Sequence, residues 1–420
     1  MTRTPRTLVV AGHGMAGHRL VAHLRAHDRH GTWRAVVLAE EPRPAYDRVA
    51  LSSYLEGRSA ADLTLADHAF LTDPLVDVRT ATPVTGIDRR ARTVTTADGT
   101  TIAYDALVLA TGSRPYVPPV PGHDLPGCFV YRTFADLDAI RAAAREKRPG
   151  VVVGGGLLGL EAANALRLLG VRTHVVELAP RLMPVQLDDG AARVLARLVG
   201  GLGLRVHCGT AVRAVHAGSD GRVAGVTLAD GSAVDAGLVV FSAGVRPRDE
   251  LARPAGLATG ERGGFLVDDR CRTGDPHIWA VGECAAVRGR TYGMVAPGHR
   301  MAELVADQLL GRPTAPFTDP DTSARLKLLG VDVASFGDAH AETEGAMEYV
   351  LRDDTAGTYA KLVLGPDGRV LLGGVLAGDA SAYGTLRALV GRELTAPPDR
   401  LLAGPVPGGP PSRSRGRAAA

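Results

Sequence analysis

Two glycine-rich turns are the parts of this sequence best suited to bind the phosphates of a nucleotide. The first reads GHGMAG at residues 12–17, between an apolar run at 7–11 and a helical pattern. Gly12 permits a tight turn, Gly14 lets the backbone approach a diphosphate, and Gly17 lets helix and strand pack closely. The unpaired N–H groups of the helix's first turn would then bind the diphosphate. The expected contacts are Gly12, Gly14, Met15, Ala16 and Gly17.

The same pattern recurs in the second part of the chain. GGGLLG occupies residues 154–159, after an apolar run at 151–153 and before a helical stretch at 160–169. One such motif is weak evidence because an ordinary glycine turn can look the same, but two in the same context are far rarer by chance. The sequence therefore predicts two dinucleotide sites. The second has the expected contacts Gly154, Gly156, Leu157, Leu158 and Gly159.

Each glycine turn is followed by a strand that ends in an acid. The apolar run at 35–39 leads into Glu40 and Glu41, and the run at 173–176 leads into Glu177. A carboxylate at this point of a dinucleotide-binding unit can accept hydrogen bonds from a ribose.

Both halves then continue through a hairpin or meander to a last strand with a small-residue turn. This turn brings the chain back beside the nucleotide, and its residues are Ala110, Thr111 and Gly112 in the first half and Ala243 and Gly244 in the second. The alternation of strands and helices predicts the α/β class with two Rossmann-like dinucleotide-binding domains. Residues 319–403 predict a small C-terminal α+β domain, and the Pro/Gly/Ser/Arg-rich residues 404–420 a disordered tail.

Composition excludes several other classes of protein. Of the 420 residues, 45% are hydrophobic and 22% charged, which is typical of a globular chain rather than a disordered or collagen-like one. Lys+Arg 48 against Asp+Glu 45 leaves a net charge of +3, too small to indicate a nucleic-acid surface. The four cysteines form no C-x-x-C pair and no zinc-ligand spacing, so no metal site is expected. Neither a signal peptide nor a membrane span is expected, and the predicted location is the cytoplasm.

The glycine motifs, the turn at 110–112 and the run IWAVGE at 278–283 resemble the two-dinucleotide flavoprotein family. Glutathione reductase, rubredoxin reductase and oxygenase-coupled ferredoxin reductases belong to that family. The resemblance implies a glutathione-reductase-like fold in which the first half binds FAD and the second NAD(P)H. It also implies that Glu283 bonds the ribityl chain of FAD and that Gly282 allows the close approach.

The resemblance carries over to the domain boundaries. Residues 1–118 and 246–318 would form a discontinuous FAD-binding domain, and residues 119–245 the NAD(P)H-binding domain. Residues 319–403 would form the interface domain, which packs on the FAD domain and often mediates dimerisation in the resembling proteins.

By the same resemblance, Glu161 faces the nicotinamide and orients its amide as the catalytic residue. The alternative is a carboxylate favoured near a helix start by the dipole. Glu177 would bond the adenosine ribose and repel a 2′-phosphate, which favours NADH, although Arg181 nearby keeps NADPH open. The resemblance adds Arg48, Val84, Arg132 and Ala296 to the FAD contacts. A pairing of Arg48 with Asp47, and a plain surface position for Arg132, are the alternatives.

A narrower resemblance rests on the runs EEPRPAYDRVALSSY at 40–54, LKLLGVDVAS at 326–335 and LLGGVLAGDAS at 371–381. These are similar to the flavoprotein portion of the large subunits of NAD(P)H-dependent assimilatory nitrite reductases, over about residues 6–403. One departure from the wider family is that residues 43–57 hold no cysteine, which excludes a dithiol relay. Ser52 and Ser53 stand where persulfide relatives have a cysteine and ferredoxin reductases a lysine.

The predicted function is therefore that of an FAD-dependent NAD(P)H oxidoreductase. Nitrite reductase subunits continue into a [2Fe–2S] module and a sirohaem domain where this sequence stops, so we expect a separate iron–sulfur or sirohaem protein as acceptor, in nitrite or nitrate assimilation. A ferredoxin or rubredoxin reductase serving an oxygenase is one alternative. A non-catalytic flavin-binding redox sensor or scaffold is another, although a scaffold would not need Glu161 and Glu177.

Overall fold

The computed structural model describes residues 4–318, 321–328 and 330–402. Within these, the chain forms two compact units. The first lies in Met1–Pro180 and Gly203–Thr322, and the second in Arg181–Leu202 and Ser323–Ala420. The tail predicted at 404–420 lies outside the described residues.

The first unit begins with eight strands and three short or medium helices. In chain order they are β1 (Arg6–Ala11), α1 (Met15–His27), β2 (Trp33–Leu38), α2 (Ser52–Leu55), α3 (His68–Leu71), β3 (Val76–Arg79), β4 (Val84–Asp88), β5 (Thr93–Thr96), β6 (Thr101–Ala103), β7 (Ala106–Leu109) and β8 (Ser113–Pro115).

The next elements contain the second strand, glycine turn and helix, together with α6, which belongs to the second unit. They are β9 (Cys128–Val130), α4 (Phe134–Ala144), β10 (Gly150–Val153), α5 (Leu157–Leu168), β11 (Thr173–Glu177), α6 (Asp189–Gly201), β12 (Arg205–Cys208), β13 (Val212–Ala217), β14 (Val223–Leu228), β15 (Ala233–Asp235) and β16 (Leu238–Phe241).

The remaining elements return to the first half and then build the second unit. They are β17 (Val245–Pro247), β18 (Phe265–Val267), β19 (Ile278–Ala280), β20 (Ala285–Val287), β21 (Arg290–Thr291), α7 (Val295–Leu309), β22 (Ala324–Leu328), β23 (Val331–Gly337), β24 (Met347–Asp353), β25 (Thr358–Leu364), β26 (Leu371–Ala377), α8 (Tyr383–Leu389) and α9 (Pro398–Leu402). Two 3₁₀ turns, at Ala61–Leu63 and Gly282–Cys284, complete the set in the described residues.

Two parallel five-stranded sheets form the core of the first unit. Their strand orders are β19-β7-β1-β2-β3 and β12-β11-β10-β16-β9. The central strands β1 and β10 are almost continuously apolar because helices and meanders cover both faces, as in other parallel sheets. The carboxyl ends of these strands lead into the two glycine turns, where open α/β sheets bind their ligands. This architecture confirms the predicted α/β class.

Antiparallel elements accompany the two parallel sheets. The meanders β4-β5-β6 and β13-β14-β15 follow the first and second glycine units, as the repeat in the sequence predicts. A two-stranded ribbon of β8 and β17 links the end of one half to the end of the other.

The second unit is a five-stranded antiparallel sheet, β22-β23-β26-β25-β24, against which α6 packs. Asp188 accepts the backbone N–H of Ala191 and so caps the start of α6. The same carboxylate accepts the Tyr359 hydroxyl at 2.7 Å and pairs with the buried Lys361 ammonium at 3.0 Å. Because a buried cation without a partner is costly, these contacts fix α6 on β25.

This grouping differs from the predicted nucleotide segment 119–245, which includes α6. The predicted boundaries, defined by ligand rather than by compactness, stay a proposal.

Among the described residues, none of the helices combines the length and the hydropathy that a membrane span requires. The same residues contain no group of three or more His, Cys, Asp or Glu side chains arranged to hold a metal ion.

Candidate functional site

The first glycine turn has a shape that requires two of its three glycines. Gly12 adopts a φ of +114°, and a Cβ there would lie 2.2 Å from the carbonyl oxygen of Ala110. A Cβ on Gly17 would lie 2.3 Å from the Gly12 carbonyl oxygen. Gly14 differs, because a Cβ at this position would meet no atom within 4 Å. Two glycines are thus required by packing, and the third faces open space beside the start of α1.

The second turn has the same geometry. Gly154 has a φ of +117°, and its Cβ would lie 2.3 Å from the carbonyl oxygen of Ser242. A Cβ on Gly159 would lie 2.0 Å from the Gly154 carbonyl oxygen, whereas Gly156 again faces open space. Ser242 takes the place that Ala110 has in the first half, and its buried Oγ has no hydrogen-bond partner among the described residues. Alignment of the two halves could have indicated Ser242, which the sequence-based prediction missed.

The helices after these turns begin without a side-chain cap. Gly14 and Gly156 occupy the cap positions of α1 and α5, and neither can accept a first-turn N–H with a side chain. By contrast, α4 begins with a capping box formed by Thr133 and Asp136. First-turn N–H groups without a side-chain cap, and the open space at Gly14 and Gly156, fit a diphosphate in each half.

Glu177 is held by the second glycine turn. Its carboxylate accepts the backbone N–H of Gly155 at 2.6 Å with one oxygen and that of Ala179 at 2.8 Å with the other. A carboxylate with lone pairs remaining at this position can also accept ribose hydroxyls. The guanidinium of Arg181, the candidate phosphate ligand, donates to the Leu187 carbonyl and pairs with Asp189 at 2.9 Å.

In the first half, both acids after β2 have arginine partners. Glu40 forms an ion pair with Arg248, and Glu41 forms one with Arg48. The Tyr46 hydroxyl donates to Glu41 at 2.9 Å. Arg48 therefore pairs with Glu41, and the suggested pairing with Asp47 is wrong.

Glu283 lies where three segments of the chain converge. Its Oε2 accepts the Ser113 hydroxyl at 2.7 Å and Nη2 of Arg132 at 2.5 Å. Arg132 is therefore part of this cluster and is not a plain surface residue. The Arg132 carbonyl in turn accepts Nη1 of Arg48 at 2.8 Å.

Close packing at Gly282 brings α1 and α7 together beside Glu283. A Cβ on Gly282, whose φ is +79°, would lie 3.0 Å from the Cβ of Ala16, and a Cβ on Gly298 would lie 3.2 Å from the Gly282 Cα.

Three further predicted FAD contacts lie in different places. Ala296 is exposed in the first turn of α7. Val84, at the start of β4, is half-buried against the core of the first sheet. Gly112, with a φ of +70°, completes the turn next to the Arg132 side chain.

Glu161 is the fifth residue of α5, which begins at Leu157, so it lies at the start of the second turn of this helix. The Ser52 hydroxyl donates to Oε2 of Glu161 at 3.3 Å. The Tyr131 hydroxyl in turn donates to Ser52 at 3.0 Å, and burial raises the pKa of this phenol well above its usual range. A chain of hydrogen bonds thus orients the Glu161 carboxylate from α2, a contact that sequence spacing did not reveal.

Substitution of Ser52 tests this chain of hydrogen bonds. We expect Ser52→Ala to slow reduction of the bound flavin by NADH about fivefold, because a typical hydrogen bond contributes about 1 kcal/mol. Stopped-flow absorbance measures this rate. Ser53→Ala is the matched control, since the Ser53 hydroxyl donates only to the Ala50 carbonyl. Equal rates of flavin reduction in the two variants would show that Ser52 does not orient Glu161 for this reaction.

The chain belongs to the pyridine nucleotide-disulphide oxidoreductase family, whose model matches residues 6–302. Residues 323–394 match the rubredoxin NAD⁺ reductase C-terminal domain. The family binds FAD and uses NAD(P)H, and the two open cradles at Gly14 and Gly156 fit these dinucleotides. The chain is therefore an FAD-dependent NAD(P)H oxidoreductase, as the sequence predicts.

Curated relatives include long and short proteins. The chain is 49% identical over 401 residues to the nitrite reductase [NAD(P)H] large subunit of Klebsiella oxytoca, which covers 95% of this chain and 42% of that protein. It is 44% identical to the nitrite reductase (NADH) large subunit of Escherichia coli, over 94% of this chain and 47% of that protein. The chain thus spans about half the length of these relatives. A rubredoxin-NAD(+) reductase from Alcanivorax borkumensis is 34% identical, with 73% of this chain and 79% of that protein covered.

Among solved structures, a ferredoxin reductase from Rhodopseudomonas palustris superposes with a TM-score of 0.82 at 29% identity, covering 93% of this chain and 96% of that one. An NAD-dependent persulfide reductase from A. fulgidus gives the same TM-score at 26% identity, with 92% of this chain and 77% of that one covered.

Proposed function

We propose that this protein takes electrons from NADH and delivers them, through FAD, to a separate iron–sulfur or sirohaem protein in nitrite or nitrate assimilation. The observation that carries this proposal is the similarity of nearly the whole chain to nitrite reductase large subunits, at 49% and 44% identity. Those relatives are about twice as long, so their acceptor chemistry comes to this chain only as a proposal.

The cysteines support an acceptor outside the chain. Cys271 and Cys284 are buried, and burial raises the pKa of both thiols. Cys128 and Cys208 are half-buried, and burial raises the pKa of Cys128 to about 11. Since a thiolate is the reactive form and residues 43–57 contain no cysteine, the dithiol relay of disulfide reductases is excluded at this segment.

FAD, when bound, accepts a hydride and can release its electrons singly. The chain's own residues bind FAD and the nicotinamide coenzyme, orient them, and select NADH over NADPH. The turns at Gly12 and Gly154 cradle the two diphosphates, and Glu283 with Arg132 would hold the flavin's sugar chain. Glu161, oriented by Ser52, would fix the nicotinamide amide so that the reacting atoms face each other.

Glu177 supports NADH rather than NADPH as the donor. A 2′-phosphate would be repelled by this carboxylate, and Arg181 already pairs with Asp189 instead of being available for a phosphate.

A ferredoxin or rubredoxin reductase is the second candidate. The similarity covers 79% of the Alcanivorax borkumensis rubredoxin-NAD(+) reductase and 96% of the solved ferredoxin reductase, which supports this candidate.

We further propose a cytoplasmic homodimer that forms through β24. This strand lies at the edge of its sheet and exposes about half of the side chains of Met347, Val350 and Leu351. Antiparallel pairing of two copies about Val350 would place Glu348 opposite Arg352, which are of opposite charge. Light scattering of the Leu351→Asp variant and of the unchanged protein tests this proposed dimer. If both proteins are monomers, the proposal is contradicted.

The test of the function is an anaerobic titration of the FAD-loaded protein with NADH and, separately, NADPH. We expect NADH to bleach the flavin absorbance at about 450 nm rapidly, and NADPH much more slowly. Candidate acceptors are then added to the reduced protein. Reoxidation by a nitrite reductase but not by rubredoxin or ferredoxin supports the proposal, and the reverse supports the second candidate. A flavin that neither coenzyme reduces would leave the sensor or scaffold interpretation.

A further inference from the structure

A cleft with three arginines lies on the first unit, along the β8–β17 ribbon. Its volume is about 430 Å³, and Arg114, Arg246 and Arg262 line it together with Tyr116. Arg114 and Arg246 are exposed side chains on neighbouring strands, and none of the three belongs to the dinucleotide contacts described above.

The two ribbon arginines are direct cross-strand partners. The register places Arg246 opposite Arg114, between the pairs Val245–Pro115 and Pro247–Ser113. Like charges directly opposite each other destabilise a pair of strands. A neutralising group in the cleft would remove this cost.

Only one of the three arginines forms an ion pair with a described carboxylate. Arg114 pairs with Glu250 at 2.9 Å. Arg246 stacks over the Tyr116 ring at 4.5 Å, and in the described part of the chain neither Arg246 nor Arg262 has a carboxylate partner. The one lining carboxylate, Asp249, accepts the backbone N–H of Gly264 at 2.6 Å. The cleft therefore carries an excess of positive charge with free guanidinium N–H groups.

We propose that this cleft binds an oxyanion, the phosphoryl group of a small-molecule ligand. Guanidinium groups present planar pairs of N–H donors that match phosphate oxygens, and three of them around one concave site suit a multiply charged anion. Tyr116, with Arg246 stacked on its ring, forms a flat wall against which a base or another planar group could lie.

The position of the cleft connects it to the flavin-binding residues. Ser113, which immediately precedes Arg114, donates to Glu283 at 2.7 Å. Arg248, two residues after Arg246, pairs with Glu40 and donates its backbone N–H to the Gly112 carbonyl at 2.9 Å. An anion bound to β8 and β17 would therefore contact the strands that position these flavin-binding groups. A change in the flavin spectrum on anion binding serves as a second readout.

The test is calorimetric titration of the FAD-loaded protein with inorganic phosphate, pyrophosphate and adenosine 5′-phosphate at constant ionic strength. We expect saturable binding that Arg246→Ala and Arg262→Ala each weaken about tenfold, as expected for loss of one charge-assisted contact. Glu250→Gln should strengthen binding because it releases Arg114. Arg213→Ala, which removes an exposed arginine of β13 outside the cleft, should change nothing.

The arms of the experiment also identify the ligand's source. If adenosine 5′-phosphate binds more tightly than inorganic phosphate, the site is assigned to a phosphorylated nucleotide. If the two bind equally, the site is assigned to free phosphate. Binding that persists unchanged in the double variant Arg246→Ala/Arg262→Ala would belong to the dinucleotide sites and would overturn the proposal. An absence of saturable binding would overturn it as well.

Discussion

Gly12→Ala is expected to abolish FAD binding and to lower the stability of the first unit. The added methyl would lie 2.2 Å from the Ala110 carbonyl oxygen, on a backbone with a φ of +114° that an alanine tolerates poorly. The strained conformation and the overlap together cost about 3 kcal/mol or more, and relief requires the turn to open. Flavin content of the purified protein and its thermal midpoint measure the two effects.

Gly14→Ala separates ligand binding from folding. Its methyl meets no protein atom within 4 Å, so the thermal midpoint of the FAD-free protein should stay within about 2 °C of the original. The methyl would instead enter the space assigned to the diphosphate, and FAD affinity should fall. Normal FAD content in both variants would show that the diphosphate does not lie on this turn.

Glu177→Ala is expected to lower kcat/KM for NADH about 100-fold while kcat/KM for NADPH changes little. The carboxylate accepts the backbone N–H of Gly155 and, in the proposed role, would accept two ribose hydroxyls; loss of such contacts amounts to about 3 kcal/mol. Removal of the charge also removes the repulsion of a 2′-phosphate. Steady-state kinetics with both coenzymes and a one-electron dye as acceptor measure the change in preference.

The matched control is Asp235→Ala. Asp235 is an exposed acid on β15 of the same segment, and it has no part in the glycine turn. An identical loss with NADH in this variant, or an unchanged NADH preference in Glu177→Ala, would contradict the assignment of Glu177.

The sequence predicts the backbone of both dinucleotide sites because their requirements are local. Spacing of Gly12, Gly14 and Gly17 alone indicates a turn that a helix must follow, and the structure shows that Gly12 and Gly17 are required by packing whereas Gly14 leaves space for a ligand. The repeat of this pattern at residues 154–159 fixes the fold class, since a strand, a glycine turn and a helix twice over leave few alternatives.

Side-chain partners far apart in sequence could not be predicted in this way. Arg248 pairs with Glu40 and Arg132 with Glu283 across the chain, and no local pattern records such pairings. The contact of Ser52 with Glu161 has no local sequence signal, because it depends on how α2 packs against α5. Charge and spacing suggested Asp47 for Arg48, but the fold brings Glu41 to it instead.

Helix α6 makes the C-terminal part of this protein difficult to exchange as a module. Its residues lie between two segments of the first unit in the sequence, yet Asp188 at its start is bonded to Tyr359 and Lys361 on β25. Recombination that joined residues 1–322 to a different C-terminal domain would leave α6 without these partners and with its apolar face uncovered. We therefore expect a natural or engineered chimaera to fold only when residues 181–202 and the domain that begins at residue 323 come from the same parent protein.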